Sequence, residues 1–132
     1  MKFIVDTSVW SEFLRRKDPE SSAQLEILRQ GIRQQNVQML GIVRQELLSG
    51  IKEKSQFRKI RDILEGFPDL LATSDDHLLA AEFFNRCRSK GIQGSPVDFL
   101  ICAQASRNNM RILAADKDYE QYAVLLPLEL VT

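Results

Sequence analysis

Residues 1–14, MKFIVDTSVWSEFL, decide the fold. Phe3, Ile4 and Val5 form an aromatic and β-branched run, and Asp6 follows at once. Thr7 and Ser8 lead into an apolar pattern at helical spacing, Val9, Trp10, Phe13 and Leu14. The stretch therefore reads as a buried strand passing directly into a helix, with a carboxylate at the junction. Aspartate caps helices well, and this stretch alone favours that reading of Asp6. In an open α/β sheet, however, ligands gather beyond the carboxyl ends of the strands, which is where Asp6 stands.

The bulk numbers suit an ordinary globular chain. There are 132 residues, 44% of them hydrophobic and 27% charged, enough for one domain with one core. The apolar runs are too short to span a bilayer, and the start lacks a basic region followed by an apolar stretch. The expected location is the cytoplasm, with no membrane association. Cys87 and Cys102 fall in predicted helices and are expected to be reduced core residues. One histidine and two separated cysteines argue against a structural zinc site. Eighteen basic residues balance eighteen acidic ones, so binding to nucleic acid requires a local patch and not bulk attraction.

Outward from the first strand, the pattern alternates. The first helix is expected from Thr7 to about Arg16, ending in the basic run Arg15, Arg16 and Lys17. Trp10 reads as core. Asp18-Pro19-Glu20 opens a second helix with Leu25, Ile27, Leu28 and Ile32 as its stripe. Val37 to Leu40 is a strand, and a helix from about Ile42 to Ser49 carries Glu46 on the face of Ile42 and Val43. A carboxylate in an apolar stripe is costly unless paired or bound to a cation, and Arg44 and Lys52 are the nearest bases. Glu53 to Phe67 reads as a basic amphipathic helix whose Lys54, Arg58, Lys59 and Arg61 form either a solvated face or an RNA-contacting surface. Leu70 to Ala72 is a brief strand, and Ser74 caps a helix that carries Leu78, Leu79, Phe83 and Cys87 inward, with His77 on its polar side. Ser95-Pro96-Val97-Asp98 has the form of a capping box, yet Asp98 shares its face with Ile101, Cys102 and Ala105. Arg111 to Ala115 is a strand ending at Asp116, with Asp118 two residues on; an Asp-rich turn explains this pair equally well. Val124 to Leu126 is expected as a last strand, closed by Pro127.

Strands alternating with helices favour a parallel sheet covered on both faces. Asp6 and Asp116 then end strands, while Glu46 and Asp98 lie near helix starts. Carboxylates brought together repel, so such a cluster calls for a cation, and all-oxygen ligands select Mg²⁺ or Mn²⁺. That chemistry suits phosphodiester cleavage. With a single histidine there is no Ser-His or Cys-His pair, and no glycine-rich phosphate loop is present.

The stretches VDTSVWSEFL, GIVRQELLSGI, SPVDFLICAQA and RILAADKDY resemble, in order and spacing, the four acidic motifs of the PIN domain. They span nearly the whole chain, and the likeness is greatest to the toxin subunits of VapBC-type toxin–antitoxin pairs. The resemblance implies an α/β three-layer sandwich over residues 1–132, with a mostly parallel sheet of four to five strands. It implies a Mg²⁺-dependent endoribonuclease (Mn²⁺ as substitute), a homodimer, RNA as substrate and a small antitoxin that blocks the site. Carried over residue by residue, Asp6, Glu46, Asp98 and Asp116 are the metal-binding and catalytic acids, Ser8 a hydroxyl near the metal and Asp118 a peripheral acid. The sequence departs from the pattern at Ala114, where the family often has Thr or Ser. Two further readings remain open at this stage: a PIN nuclease of RNA processing outside any toxin system, and a PIN fold kept as a binding module without catalysis.

Overall fold

A computed structural model describes residues 1–15 and 22–131. Four parallel strands run in the order β3-β2-β1-β4: β1 (Phe3–Val5), β2 (Val37–Leu40), β3 (Asp69–Leu70) and β4 (Arg111–Leu113). Seven helices complete the described chain: α1 (Thr7–Arg15), α2 (Ala23–Arg33), α3 (Gly41–Leu48), α4 (Lys54–Leu64), α5 (Ser74–Ser89), α6 (Pro96–Arg107) and α7 (Asp118–Leu125). Strand β1 lies at the centre, with Phe3 opposite Val37 on one side and Arg111 on the other. All three of its residues are buried. Successive strand side chains point to opposite faces, so burial of all three means that helices cover both faces of the sheet. Where α2 crosses β1, Gly31 provides the clearance: a Cβ there would lie 2.6 Å from the Phe3 ring. Trp10 is fully buried, edge-on to Phe13 and Phe67, and both cysteine thiols are free and buried. No helix among the described residues is long and apolar enough to cross a membrane.

Several local expectations are corrected. Val124 to Leu126 is not a strand: Val124 and Leu125 belong to α7. Tyr119, Tyr122 and Leu126 are buried while Val124 is 80% exposed, a helical and not an alternating period. The sheet is instead extended beside β4 by one parallel bridge, Ile112 to Leu130, fixed by the Ile112 amide on the Glu129 carbonyl (3.0 Å) and the Val131 amide on the Ile112 carbonyl (2.9 Å). Helix α5 is capped by Thr73 and not Ser74, because the acid that closes a capping box, Asp76, lies three residues after Thr73. This phase buries Asp76, Phe83 and Cys87 and leaves Leu78 65% exposed on the other side. Helix α4 is shorter than expected and buries only Ile60 and Leu64, with Phe57 and Ile63 on its rim. The brief third strand is Asp69–Leu70, one residue earlier than read. The second helix has its cap at Ser22, whose hydroxyl accepts from the Leu25 amide at 3.1 Å; the expected start at Asp18-Pro19-Glu20, and the basic run at Arg16 and Lys17, lie outside the described residues.

Candidate active site

Asp6 is the hinge between β1 and α1. Its amide donates to the Leu113 carbonyl at 2.8 Å, and its own carbonyl accepts from Val9 and Trp10 at 3.1 and 3.3 Å. The residue is therefore both the last rung of the sheet and the start of a helix. Its carboxylate does more than cap. Oδ2 accepts from the Ser8 hydroxyl (2.7 Å) and amide (3.3 Å), and Oδ1 accepts from the Tyr119 hydroxyl (2.8 Å). The residue is only 6% exposed, so these donors hold a carboxylate that burial would otherwise disfavour.

Asp98 comes to the same point from the first turn of α6. Ser95 caps that helix, its hydroxyl accepting from the Asp98 amide at 3.1 Å. The Asp98 carboxylate is turned to α7: Oδ2 accepts from the Tyr122 hydroxyl at 2.7 Å, and Oδ1 lies 3.5 Å from the Tyr119 hydroxyl oxygen. Burial raises the Asp98 carboxyl above its usual range, and the charges of Asp6 and Glu46 push the same way against the Tyr122 and Ser95 hydrogen bonds. The Tyr119 and Tyr122 phenols are themselves raised, by burial first and then by the hydrogen bonds and charges of these carboxylates, so they stay protonated as donors. Gly94 is required beside them: a Cβ there would collide with the Tyr122 hydroxyl and lie 2.8 Å from the Phe99 ring.

The other acids stand further out. Glu46 is exposed and not set into an apolar stripe; its Oε1 accepts from the Thr7 hydroxyl at 2.5 Å. Neither base suggested by the sequence is what holds it: Arg44 is committed to Asp69 (2.9 Å) and to the Leu64 and Phe67 carbonyls. Asp116 is exposed, and its Oδ1 accepts from the Asp118 amide at 2.9 Å, so it shapes the turn into α7. Ala114, Asp116, Tyr119 and Gln24 line a common cleft of about 280 Å³ in which Ala114 offers no hydroxyl. Asp118 is exposed in the first turn of α7. Thus Asp6 and Asp98 converge on one phenol oxygen, Glu46 is within electrostatic reach of Asp98, and Asp116 is held by one oxygen in the turn before α7, on a cleft it shares with Tyr119. No three acids among the described residues are close enough as they stand to enclose an ion.

Sequence reasoning missed the two tyrosines and Thr7. Their signal was present: Tyr119 and Tyr122 are three apart, the spacing of one helix face, and a buried phenol needs a polar partner. An Asp-rich turn at Asp116 to Asp118 followed by a strand from Val124 left no helix between them to carry the pair, whereas both lie in α7.

The PIN domain family model matches residues 3–125. Solved structures of the same fold include FitAcB from Neisseria gonorrhoeae, at TM-score 0.75 and 17% identity over 98% of this chain and 96% of that one. VapBC2 from Rickettsia felis, bound to a DNA fragment from its promoter, has TM-score 0.77 and 18% identity over 99% and 98%. VapBC-5 from Mycobacterium tuberculosis, a member of the VapBC family of toxin–antitoxin systems, has TM-score 0.71 and 15% identity over 98% and 97%. At these identities the likeness speaks for the fold. No curated protein matches the chain by sequence.

Proposed function

Since the chain belongs to the PIN domain family, whose members are generally nucleases, we propose that it is a Mg²⁺-dependent endoribonuclease, the toxin of a type II toxin–antitoxin pair. The observation that carries this reading is the convergence of Asp6 and Asp98 from β1 and α6 on the Tyr119 hydroxyl. Keeping two carboxylates this close opposes stability unless a cation is to join them. The donor set fits a hard divalent ion, because it consists of carboxylate oxygens without nitrogen or sulfur. Asp6, Asp98 and Asp116 would hold the ion, and Glu46 would complete the set or orient the attacking water. A carboxylate-bound Mg²⁺ or Mn²⁺ lowers the pKa of a water and stabilises the leaving oxygen of a phosphodiester.

The chain's own residues prepare that site. Ser8 holds the outer oxygen of Asp6, and Thr7 holds Glu46 at the start of the same helix. Asp118, in the first turn of α7, would be a peripheral acid. In this reading one PIN-like domain spans residues 1–132 and acts in the cytoplasm as a homodimer. The toxin role is supported by likeness of fold to VapBC and FitAcB proteins, and the proposed partner is a small antitoxin. The half-exposed Phe57 and Ile63 on α4 are apolar surface available to a partner.

The test is cleavage of a mixed RNA pool by the purified chain in Mg²⁺, Mn²⁺ or EDTA, beside Asp6→Asn. Cleavage that requires metal and is lost in the variant is expected. Equal products from both proteins would overturn the assignment of Asp6. A short adjacent reading frame whose product binds the chain and suppresses cleavage is the expected mark of the toxin system.

A further inference from the structure

We propose that Tyr119 and Tyr122 are positioning residues that set the spacing of Asp6 and Asp98 for a divalent cation. The inference rests on the metal-binding role proposed above for those two acids. Both rings are buried, packed edge to face on one another with centroids 5.2 Å apart, and Tyr122 also lies against Phe99 at 5.0 Å. Phenylalanine would fill that space equally well. What tyrosine adds is a hydroxyl, and both hydroxyls are spent on the same two carboxylates.

The arrangement is ordered by oxygen. The outer oxygens, Oδ2 of each acid, are pinned: that of Asp6 by the Ser8 hydroxyl and amide, and that of Asp98 by Tyr122. The inner oxygens, Oδ1 of each acid, flank the single Tyr119 hydroxyl at 2.8 and 3.5 Å. A phenol has one proton to donate, so Tyr119 occupies one lone pair of Asp6 Oδ1 and leaves the others on the inner side open. A cation would therefore meet two carboxylates already turned to each other. Hydrogen bonds that orient metal-binding carboxylates in this way are typically worth a factor of about 10 to 100 in metal affinity. Because α7 supplies both phenols, one short helix that begins within the fourth motif positions acids from the first and third.

The experiment measures Mn²⁺ affinity by electron paramagnetic resonance and calorimetry on the wild-type chain, Tyr119→Phe, Tyr122→Phe, Asp6→Asn and Ile60→Val. The last variant weakens the core under α4 without touching the site. Wild-type binding that falls about tenfold or more in each tyrosine variant, and stays unchanged in Ile60→Val, is the expected result. If the wild type binds, Asp6→Asn does not, and both tyrosine variants match the wild type, the positioning role is overturned while the metal site stands. If wild type and Asp6→Asn bind equally weakly, the metal reading itself fails and the inference falls with it. Near-ultraviolet circular dichroism reports whether each variant keeps its packed aromatic cluster. If one tyrosine variant does not fold, the other decides the question alone.

Discussion

Replacing Asp98 by Asn is expected to stabilise the metal-free protein and abolish its response to metal. Asp6 and Asp98 flank one phenol oxygen at 2.8 and 3.5 Å, so their inner oxygens are no further apart than about 6 Å. At an effective dielectric of 20, two charges at that separation repel by about 3 kcal/mol. Asn keeps the shape of the side chain and the amide that Ser95 caps. It exchanges a charge-assisted hydrogen bond from Tyr122 for a neutral one, at a cost of about 1 kcal/mol. The balance favours the variant by roughly 1–2 kcal/mol, and a chain of this length gains about 3 °C in Tm per kcal/mol. The wild type in turn gains about 2.7 kcal/mol at a metal concentration about 100 times Kd, or about 8 °C. The two proteins should therefore exchange rank. In EDTA at pH 8 the variant melts higher by a few degrees, and in saturating Mg²⁺ or Mn²⁺ the wild type does. Differential scanning calorimetry reads both. A variant that melts lower than the wild type in EDTA would show that the Asp98 carboxylate serves the helix and the core, and would refute the electrostatic argument.

Three other perturbations probe parts of the same framework. Thr73→Ala removes the side-chain half of the α5 capping box, the hydroxyl that accepts from the Asp76 amide, and should lower stability by about 1 kcal/mol in urea denaturation, with metal affinity unchanged. Asp76, although burial pushes it up, is held below its usual carboxyl range by the Arg107 and Thr73 hydrogen bonds. Its folded value lies below its unfolded one, so its contribution is full above about pH 4 and is lost as pH falls through the folded value; Asp76→Asn should flatten the acid limb of stability against pH. Gly94→Ala drives a methyl into the Tyr122 hydroxyl and the Phe99 ring, and should reduce the metal-induced rise in Tm while the secondary structure seen by circular dichroism persists.

What the sequence disclosed was set by periodicity. Phe3 to Val5 and Arg111 to Ala115 were legible as strands because each is a short apolar run that ends at a carboxylate, although the second stops at Leu113. The third motif was legible because Ser95 and Pro96 are strong helix-start signals. Val124 to Leu126 misled because a three-residue apolar run fits a strand as well as the end of a helix, and only the burial of Tyr119 and Tyr122 separates the two. Among the site residues, Asp6, Asp98 and Glu46 are held by long-range partners that the structure reveals. None of these partners is a neighbour in sequence: Tyr119 lies 113 residues from Asp6, Thr7 39 from Glu46 and Tyr122 24 from Asp98. Glu46 was read as an acid in an apolar stripe, but Val43 and Leu47 form the buried face and Glu46 stands beside it on the rim. Spacing along a helix gives the face of a residue only to within one position, which is enough to separate a rim from a core.

The two carboxylates at the centre also explain why a cap and a site need not be alternatives at Asp6. Its carbonyl opens α1, its Oδ2 takes the Ser8 donors as a helix-capping side chain does, and its Oδ1 remains for the partner that α7 supplies. A carboxylate has two oxygens, and this chain assigns one to folding and one to the site. Asn can preserve the first assignment, because it caps helices as well as Asp does. It cannot preserve the second, because an amide offers no charge to a cation. The same division holds at Asp98, where the backbone amide belongs to the Ser95 cap and the side chain faces Asp6. Structural and chemical demands are thus met by different atoms of the same residues, and an isosteric amide at either position separates them.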